Sequence, residues 1–145
     1  MSVYNPFANY QIAIPKKYSD EVKKFCKQGG SDMGEEYTPF NRQCDFWSFA
    51  FLYAIQEELH PEPIPGSEMS NITAASILSN FHIIHIQMAY LATCLDIEKL
   101  DEPREMFTYV SNLANAGIPY ILQILKDSEE NTPLFNVLET IEEHI

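Results

Sequence analysis

The feature that most constrains the fold of this chain is a run of apolar residues near its middle. Residues 44–59 read CDFWSFAFLYAIQEEL, and their apolar side chains occur on every side of a helix with 3.6 residues per turn. A helix that is apolar all round is typical of a protein interior. The run is also charged at both ends, at Asp45 and at Glu57 and Glu58, and is shorter than the roughly twenty apolar residues that cross a bilayer. We therefore expect a central helix that the rest of the protein covers.

The composition predicts one mainly α domain. The chain has 145 residues, the size of an ordinary domain, and 46% of them are hydrophobic. That much apolar surface can offset the entropy lost on folding, which excludes a disordered chain. Prolines divide the sequence into helix-length segments. The predicted fold is a compact multi-helix domain over residues 1–145, built around the buried helix at 44–59, with one short N-terminal strand at residues 10–14.

Apolar periodicity places the other helices at residues 15–30, 81–95, 105–117 and 132–145. Gly117 and Pro119 are expected to end or kink the third of these. The segment at 71–79, NITAASILS, fits a short helix or a strand, and a helix is preferred. In the helix at 81–95, Phe81, Ile84 and Met88 share one apolar face. Its polar residues, His82 among them, form only a thin stripe, so little of this helix is expected to face water.

The cysteines and the N-terminus indicate a cytoplasmic protein. Cys26, Cys44 and Cys94 are odd in number, lie within apolar helical patterns and lack the spacing of a zinc site. Reduced, buried thiols are the expected state. The first residues, MSVYNPFANY, lack the basic segment and apolar run of a secretory signal.

The charge distribution is acidic with one small basic segment. The formal net charge is −12, which disfavours wrapping of nucleic acid because affinity for phosphate comes from Lys and Arg. Five of the nine basic residues nevertheless lie between residues 16 and 27, opposed there only by Asp20 and Glu21. This segment is expected to be a basic patch, either simply solvated or used for binding.

No residue pattern predicts catalysis, a cofactor or a metal. His82 and His85 are three residues apart and could point at one ion, but the nearest acids that follow, Asp96 and Glu98, lie more than two turns away. We expect these histidines to be hydrogen-bonded or partly exposed. There is no glycine-rich phosphate loop and no nucleophile motif. The aromatic run at 46–53 lacks the interleaved basic residues of a base-stacking platform, so core packing is preferred.

Two resemblances suggest functions. The order strand, helix, turn, helix in residues 9–59 is similar to ribbon-helix-helix proteins, in which two chains pair their N-terminal strands. In addition, IPKKY at 14–18, DFWSFA at 45–50 and ANAGIPYILQIL at 114–125 resemble small accessory proteins encoded beside bacterial DNA phosphorothioation (Dnd) genes in antiphage defence loci. That resemblance implies a defence-associated, non-catalytic component and supplies no functional residue.

The preferred hypothesis is a non-catalytic interaction subunit that associates with itself or with larger defence proteins. Its expected contacts are the N-terminal ribbon and the acidic C-terminal helix, through Ile12, Ile14, Lys17, Tyr18, Glu139, Glu142 and Glu143. One alternative is a ribbon-helix-helix-like regulator that presents Lys16, Lys17, Lys23 and Lys24 to DNA phosphates. Another is an acidic inhibitor or nucleic-acid mimic, suggested by the net charge.

Overall fold

The described part of the chain forms five α-helices and one two-stranded sheet. A computed structural model describes residues 4–27, 39–94, 101–127 and 133–143. In order, the elements are β1 (Gln11–Pro15), α1 (Ser19–Lys24), α2 (Gln43–Gln56), β2 (Met69–Ala74), α3 (Asn80–Cys94), α4 (Pro103–Lys126) and α5 (Pro133–Glu143). The fold is mainly α, as predicted.

Helix α2 is the central helix and lies chiefly against α4. Its side chains Phe46, Trp47 and Phe51 are fully buried, so the aromatic run packs in the core. Burial is not uniform around the helix, however. Leu52 and Ile55 keep more than a third of their surface exposed, which corrects the expectation of a helix covered on every side.

Helices α2 and α4 come into close contact at Gly117, in the middle of α4. A Cβ atom built on this glycine would overlap the backbone carbonyl of Ala50 in α2. The two helix backbones therefore touch, which only a residue without a side chain permits.

Phe107, on α4, joins the N-terminal residues to the core. Its ring stacks on Trp47 at 5.6 Å between centroids and contacts Phe7 at 5.7 Å and Tyr10 at 5.3 Å. Asn5 adds a hydrogen bond from its Nδ2 to the Ala75 carbonyl at 2.9 Å. These contacts hold the segment before β1 against α4.

Strand β1 pairs antiparallel with β2 of the same chain, with a bulge between Ile12 and Ala13. The prediction of a helix at 71–79 was therefore wrong for its first half, which pairs as strand, and only a 3₁₀ turn at Ala75–Ile77 follows. β-branched Ile72 and Thr73 suit a pleated strand, and the pairing with β1 decides between the two conformations. The arrangement also differs from ribbon-helix-helix proteins, where the partner strand belongs to a second chain.

Gly117 and Pro119 were predicted to end or kink this helix, and α4 does not end there but continues to Lys126. Pro119 has no N–H for the carbonyl of Asn115, four residues earlier, and the helix forgoes that bond. Twelve buried residues on α4 make the long helix favourable despite this local cost.

The helix predicted at 15–30 is shorter than expected. A 3₁₀ turn at Lys16–Tyr18 leads into α1, which has only six residues. After it, the backbone N–H of Lys27 donates to the Phe40 carbonyl at 2.9 Å, and Cys26 forms an isolated bridge with Phe40. These backbone contacts replace further helical turns and bring the chain towards the start of α2.

Helix α5 covers the end of α4. The buried Asn136 donates from Nδ2 to the carbonyls of Ile124 and Asp127, at 3.0 and 2.9 Å. Carbonyls in the last turn of a helix have no partner within it, so this side chain caps α4.

Replacing Gly117 with alanine is expected to destabilise the protein by about 2 kcal/mol or more, because the methyl group would force the two helices apart. In an ordinary helix the same change stabilises by roughly 1 kcal/mol. The sign of the change in unfolding free energy therefore distinguishes a tight helix contact from an ordinary helical position. Gly66→Ala is the matched control, since nothing lies within 4 Å of its added Cβ. Urea denaturation followed by circular dichroism gives both values. A stabilised Gly117→Ala variant would contradict the close contact.

Candidate functional site

The outer face of α3 is a strip of exposed apolar side chains. Phe81 is 76% exposed, Met88 62% and Ile84 42%, and Ile77, in the turn just before the helix, is 40% exposed. We call these four residues the α3 strip. Single exposed apolar residues are ordinary on protein surfaces, but a contiguous set is typical of a contact surface.

The spacing of the α3 strip suits another helix. Its three members on the helix, Phe81, Ile84 and Met88, follow one another at intervals of three and four residues, the alternation that forms a seam between two packed helices. The helix itself, NFHIIHIQMAYLATC, contains no Asp, Glu, Lys or Arg. The strip is therefore an uncharged surface on a protein whose formal net charge is −12.

The buried side of α3 carries Ile83, Ile86 and Ala89. The predicted helix was correct, but its orientation differs from the expectation. His82, assigned to the polar stripe, is 8% exposed, whereas the stripe of Phe81, Ile84 and Met88 faces solvent. Because α3 is apolar nearly all round, its sequence does not indicate which side faces inwards.

His82 faces the N-terminal end of α2 and joins the two helices. Its Nε2 atom lies 3.0 Å from Oδ1 of Asp45, and its Nδ1 atom lies 2.9 Å from Oγ of Ser79. Cys44, next to Asp45, is buried, and its Sγ completes a group of three ligand-type atoms within 4.8 Å of one another. We call Cys44, Asp45 and His82 the Cys-Asp-His cluster.

The hydrogen bonds around His82 define its neutral tautomer. The backbone N–H of Ser79 donates to Nδ1 at 3.1 Å, so Nδ1 presents a lone pair and Nε2–H donates to Asp45. In return the backbone N–H of His82 approaches Ser79 Oγ at 3.4 Å. This reciprocal pattern is that of a capping box, with histidine in the place of the usual Glu or Gln.

The same geometry argues against a serine nucleophile. Ser79, His82 and Asp45 form a chain of hydrogen bonds, but the Nδ1 lone pair that would accept the serine proton already accepts the Ser79 backbone N–H. Helix capping accounts for the contact without catalysis.

Burial, more than any neighbouring charge, favours the neutral forms of His82 and Cys44. Burial lowers the pKa of His82, and Arg42, whose Nε lies 3.7 Å from Asp45 Oδ2, opposes its protonation; the Asp45 carboxylate partly offsets both effects. Burial, reinforced by Asp45, raises the pKa of the Cys44 thiol. The same two causes raise the pKa of Cys26 to about 12. Both groups are thiols at neutral pH, as the sequence suggested.

The residues predicted to bind a partner are divided between core and surface. Ile12 and Ile14 have no exposed surface and pack in the core beneath the sheet, so their side chains have nothing to offer a partner of the folded chain. Tyr18 is half-buried, whereas Lys17 is exposed and lies 5.1 Å above the Tyr18 ring. The three acidic residues predicted on α5, Glu139, Glu142 and Glu143, are all exposed.

The lysines considered for DNA binding lie on the surface but not in a purely basic site. Lys16 and Lys17 line a cleft of about 410 Å³ together with Glu62 and Glu68, which would repel a phosphate there. Lys23 and Lys24 are exposed on α1. Because acidic and basic side chains share this cleft, its positive potential for attracting a phosphate is weak.

Comparison with models of known protein families, with curated proteins and with solved structures yields no match. Among the described residues, no helix is sufficiently long and apolar to traverse a bilayer. The assignment of a function therefore depends on the α3 strip and the Cys-Asp-His cluster.

Stability is expected to fall below pH 6.5 because of His82. Its pKa is lower in the folded state, so the unfolded chain binds more protons in that range. The contribution is complete above the unfolded value of about 6.5 and is lost as the pH falls from there through the lower pKa of the folded state. Melting temperatures of the wild type and of His82→Gln, measured between pH 8 and 5 in the presence of a metal chelator, test this. The wild type should lose more stability than His82→Gln, and the control His85→Gln should behave like the wild type. Parallel melting-temperature curves for the wild type and His82→Gln would contradict the prediction.

Proposed function

We propose that this chain is a non-catalytic interaction protein that pairs with a second copy of itself through the α3 strip. The observation that carries the proposal is the exposure of Phe81 and Met88, at 76% and 62%, on a helix without charged residues. Burial of such side chains contributes about 25 cal/mol per Å² removed from water.

Charge favours a second copy as the occupant. Two molecules of net charge −12 repel each other, and the repulsion is weakest where the approaching surfaces carry no charge. The α3 strip offers such a surface, since the helix contains no Asp, Glu, Lys or Arg. A basic partner would instead be matched by acidic side chains within the contact itself.

The size of the surface sets the expected affinity. A helix of 15 residues is roughly 22 Å long, so one helix pair buries less than the roughly 800 Å² per partner of a standard interface. We therefore expect a reversible dimer with a dissociation constant in the micromolar range or weaker.

Ile84→Glu is expected to weaken the dimer at least tenfold, because the carboxylate would be buried opposite its symmetry mate or leave the contact unmade. Leu138→Glu on α5 is the matched control, because Leu138 is 45% exposed and Ile84 42%. Sedimentation equilibrium over roughly 1 to 500 µM measures both, and circular dichroism verifies folding.

Salt separates this proposal from a charge-driven one. Screening reduces repulsion between the acidic bodies, so added salt should strengthen an apolar dimer and weaken a contact held by ion pairs. A wild type that stays monomeric throughout the concentration range, or a dimer lost in Leu138→Glu but kept in Ile84→Glu, would exclude the α3 strip.

The resemblance to Dnd-associated accessory proteins suggests the biological process in which such a dimer would act. We propose that the dimer serves as an accessory subunit of a bacterial antiphage defence complex. Native mass spectrometry of the protein produced alone and together with the products of its neighbouring genes tests this. The expected result is a dimer alone and a larger assembly in co-expression; a dimer that binds none of those products would contradict the setting but not the self-association.

A further inference from the structure

We propose that the Cys-Asp-His cluster binds a zinc ion, with Cys44 Sγ, one Asp45 carboxylate oxygen and His82 Nε2 as ligands. The three atoms lie within 4.8 Å of one another, although 37 residues of sequence separate Asp45 from His82. None of the three ligands belongs to the α3 strip, although Ile77 of that strip lines the cavity beside Cys44.

The spacing of His82 Nε2 and Asp45 Oδ1 suits zinc with little rearrangement, whereas Cys44 Sγ must approach by up to about 1 Å. Tetrahedral zinc with bonds of about 2.0 to 2.3 Å holds its ligand atoms roughly 3.2 to 3.8 Å apart. Nε2 and Oδ1 are 3.0 Å apart, so they need to separate by only a few tenths of an ångström. The ends of two packed helices hold all three side chains, which gives the site a fixed framework.

The ligand set selects the metal class. Thiolate and imidazole favour zinc and related transition ions, whereas Mg²⁺ and Ca²⁺ require oxygen ligands. A surface cavity of about 170 Å³ borders Cys44 and is lined also by Arg42, Gln43 and Ile77. It gives an ion a route to the thiol and room for water as the fourth ligand.

Proton transfers balance the binding step. Cys44 must lose its thiol proton to the solvent when the sulfur–zinc bond forms, which releases one proton per ion. His82 must exchange tautomers, losing the Nε2 proton and gaining one on Nδ1, with no net release. The new Nδ1–H then donates to Ser79 Oγ, 2.9 Å away, as an outer partner that orients a metal-bound imidazole. The Ser79 backbone N–H gives up its bond to Nδ1 in exchange.

Two features set a limit on the affinity. Arg42 beside Asp45 adds a positive charge near the ion, and the capping contact of Ser79 with Nδ1 must be replaced. Three protein ligands without a fourth also bind less tightly than a closed structural site. We expect saturable binding of one ion with a dissociation constant in the micromolar range.

Isothermal titration of tag-free protein with zinc chloride tests the proposal. The expected result is one ion per chain, with a heat that varies with the ionisation enthalpy of the buffer because a proton is released. Cys44→Ser and Asp45→Asn should each weaken binding at least tenfold. His85→Gln, three residues after His82 on the same helix, should leave it unchanged.

Cobalt provides a readout that does not depend on affinity alone. Bound Co²⁺ should give a thiolate-to-metal absorption band in the near ultraviolet, present in the wild type and His85→Gln and absent in Cys44→Ser. Circular dichroism establishes that the variants are folded. Absence of saturable zinc binding below 100 µM in the wild type, or a cobalt band that persists in Cys44→Ser, would overturn the assignment.

Discussion

The close contact between α2 and α4 at Gly117 is the interaction on which the rest of the structure depends. It brings the backbone of α4 against the carbonyl of Ala50, and this proximity lets Trp47 stack on Phe107. Phe107 in turn anchors Phe7 and Tyr10, and Asn5 and Tyr10 bind the backbone of Ala75. The N-terminal segment and the sheet are thus fixed by a helix contact distant from them in sequence.

This arrangement explains why α3 is left partly uncovered. Helix α2 is largely enclosed by α4, the sheet and α1, and α3 contributes one side of its surface to the same core. Ile83 and Ile86 are the large apolar side chains that it buries there. An apolar helix with only one buried side must expose the remainder, so the strip is a consequence of the architecture and not of a polar pattern in the sequence.

The sequence predicted most of the helices and the aromatic core, because these follow from local periodicity. The run at 44–59 and the helix at 81–95 closely match α2 and α3. Prediction from the sequence failed where tertiary contacts determine the conformation. β2 forms because β1 requires a partner, and α4 passes Pro119 because burial outweighs one lost hydrogen bond. The Cys-Asp-His cluster could not be foreseen, since its parts lie on separate helices; the only local signal was Ser79 three residues before His82, a capping pattern.

The cluster and the α3 strip are linked by the rotation of one helix. Phe81 and His82 are neighbours in sequence and lie about 100° apart around the helix, so the first faces solvent whereas the second faces Asp45. The bond from His82 to α2 fixes the rotation of α3 about its axis, and that rotation places Ile84 and Met88 outside. An α3 rotated by half a turn, about 180°, would bury Phe81 and expose His82. Because the helix is apolar nearly all round, hydrophobic burial alone discriminates weakly between these orientations, and the polar contact of His82 with Asp45 supplies the specificity.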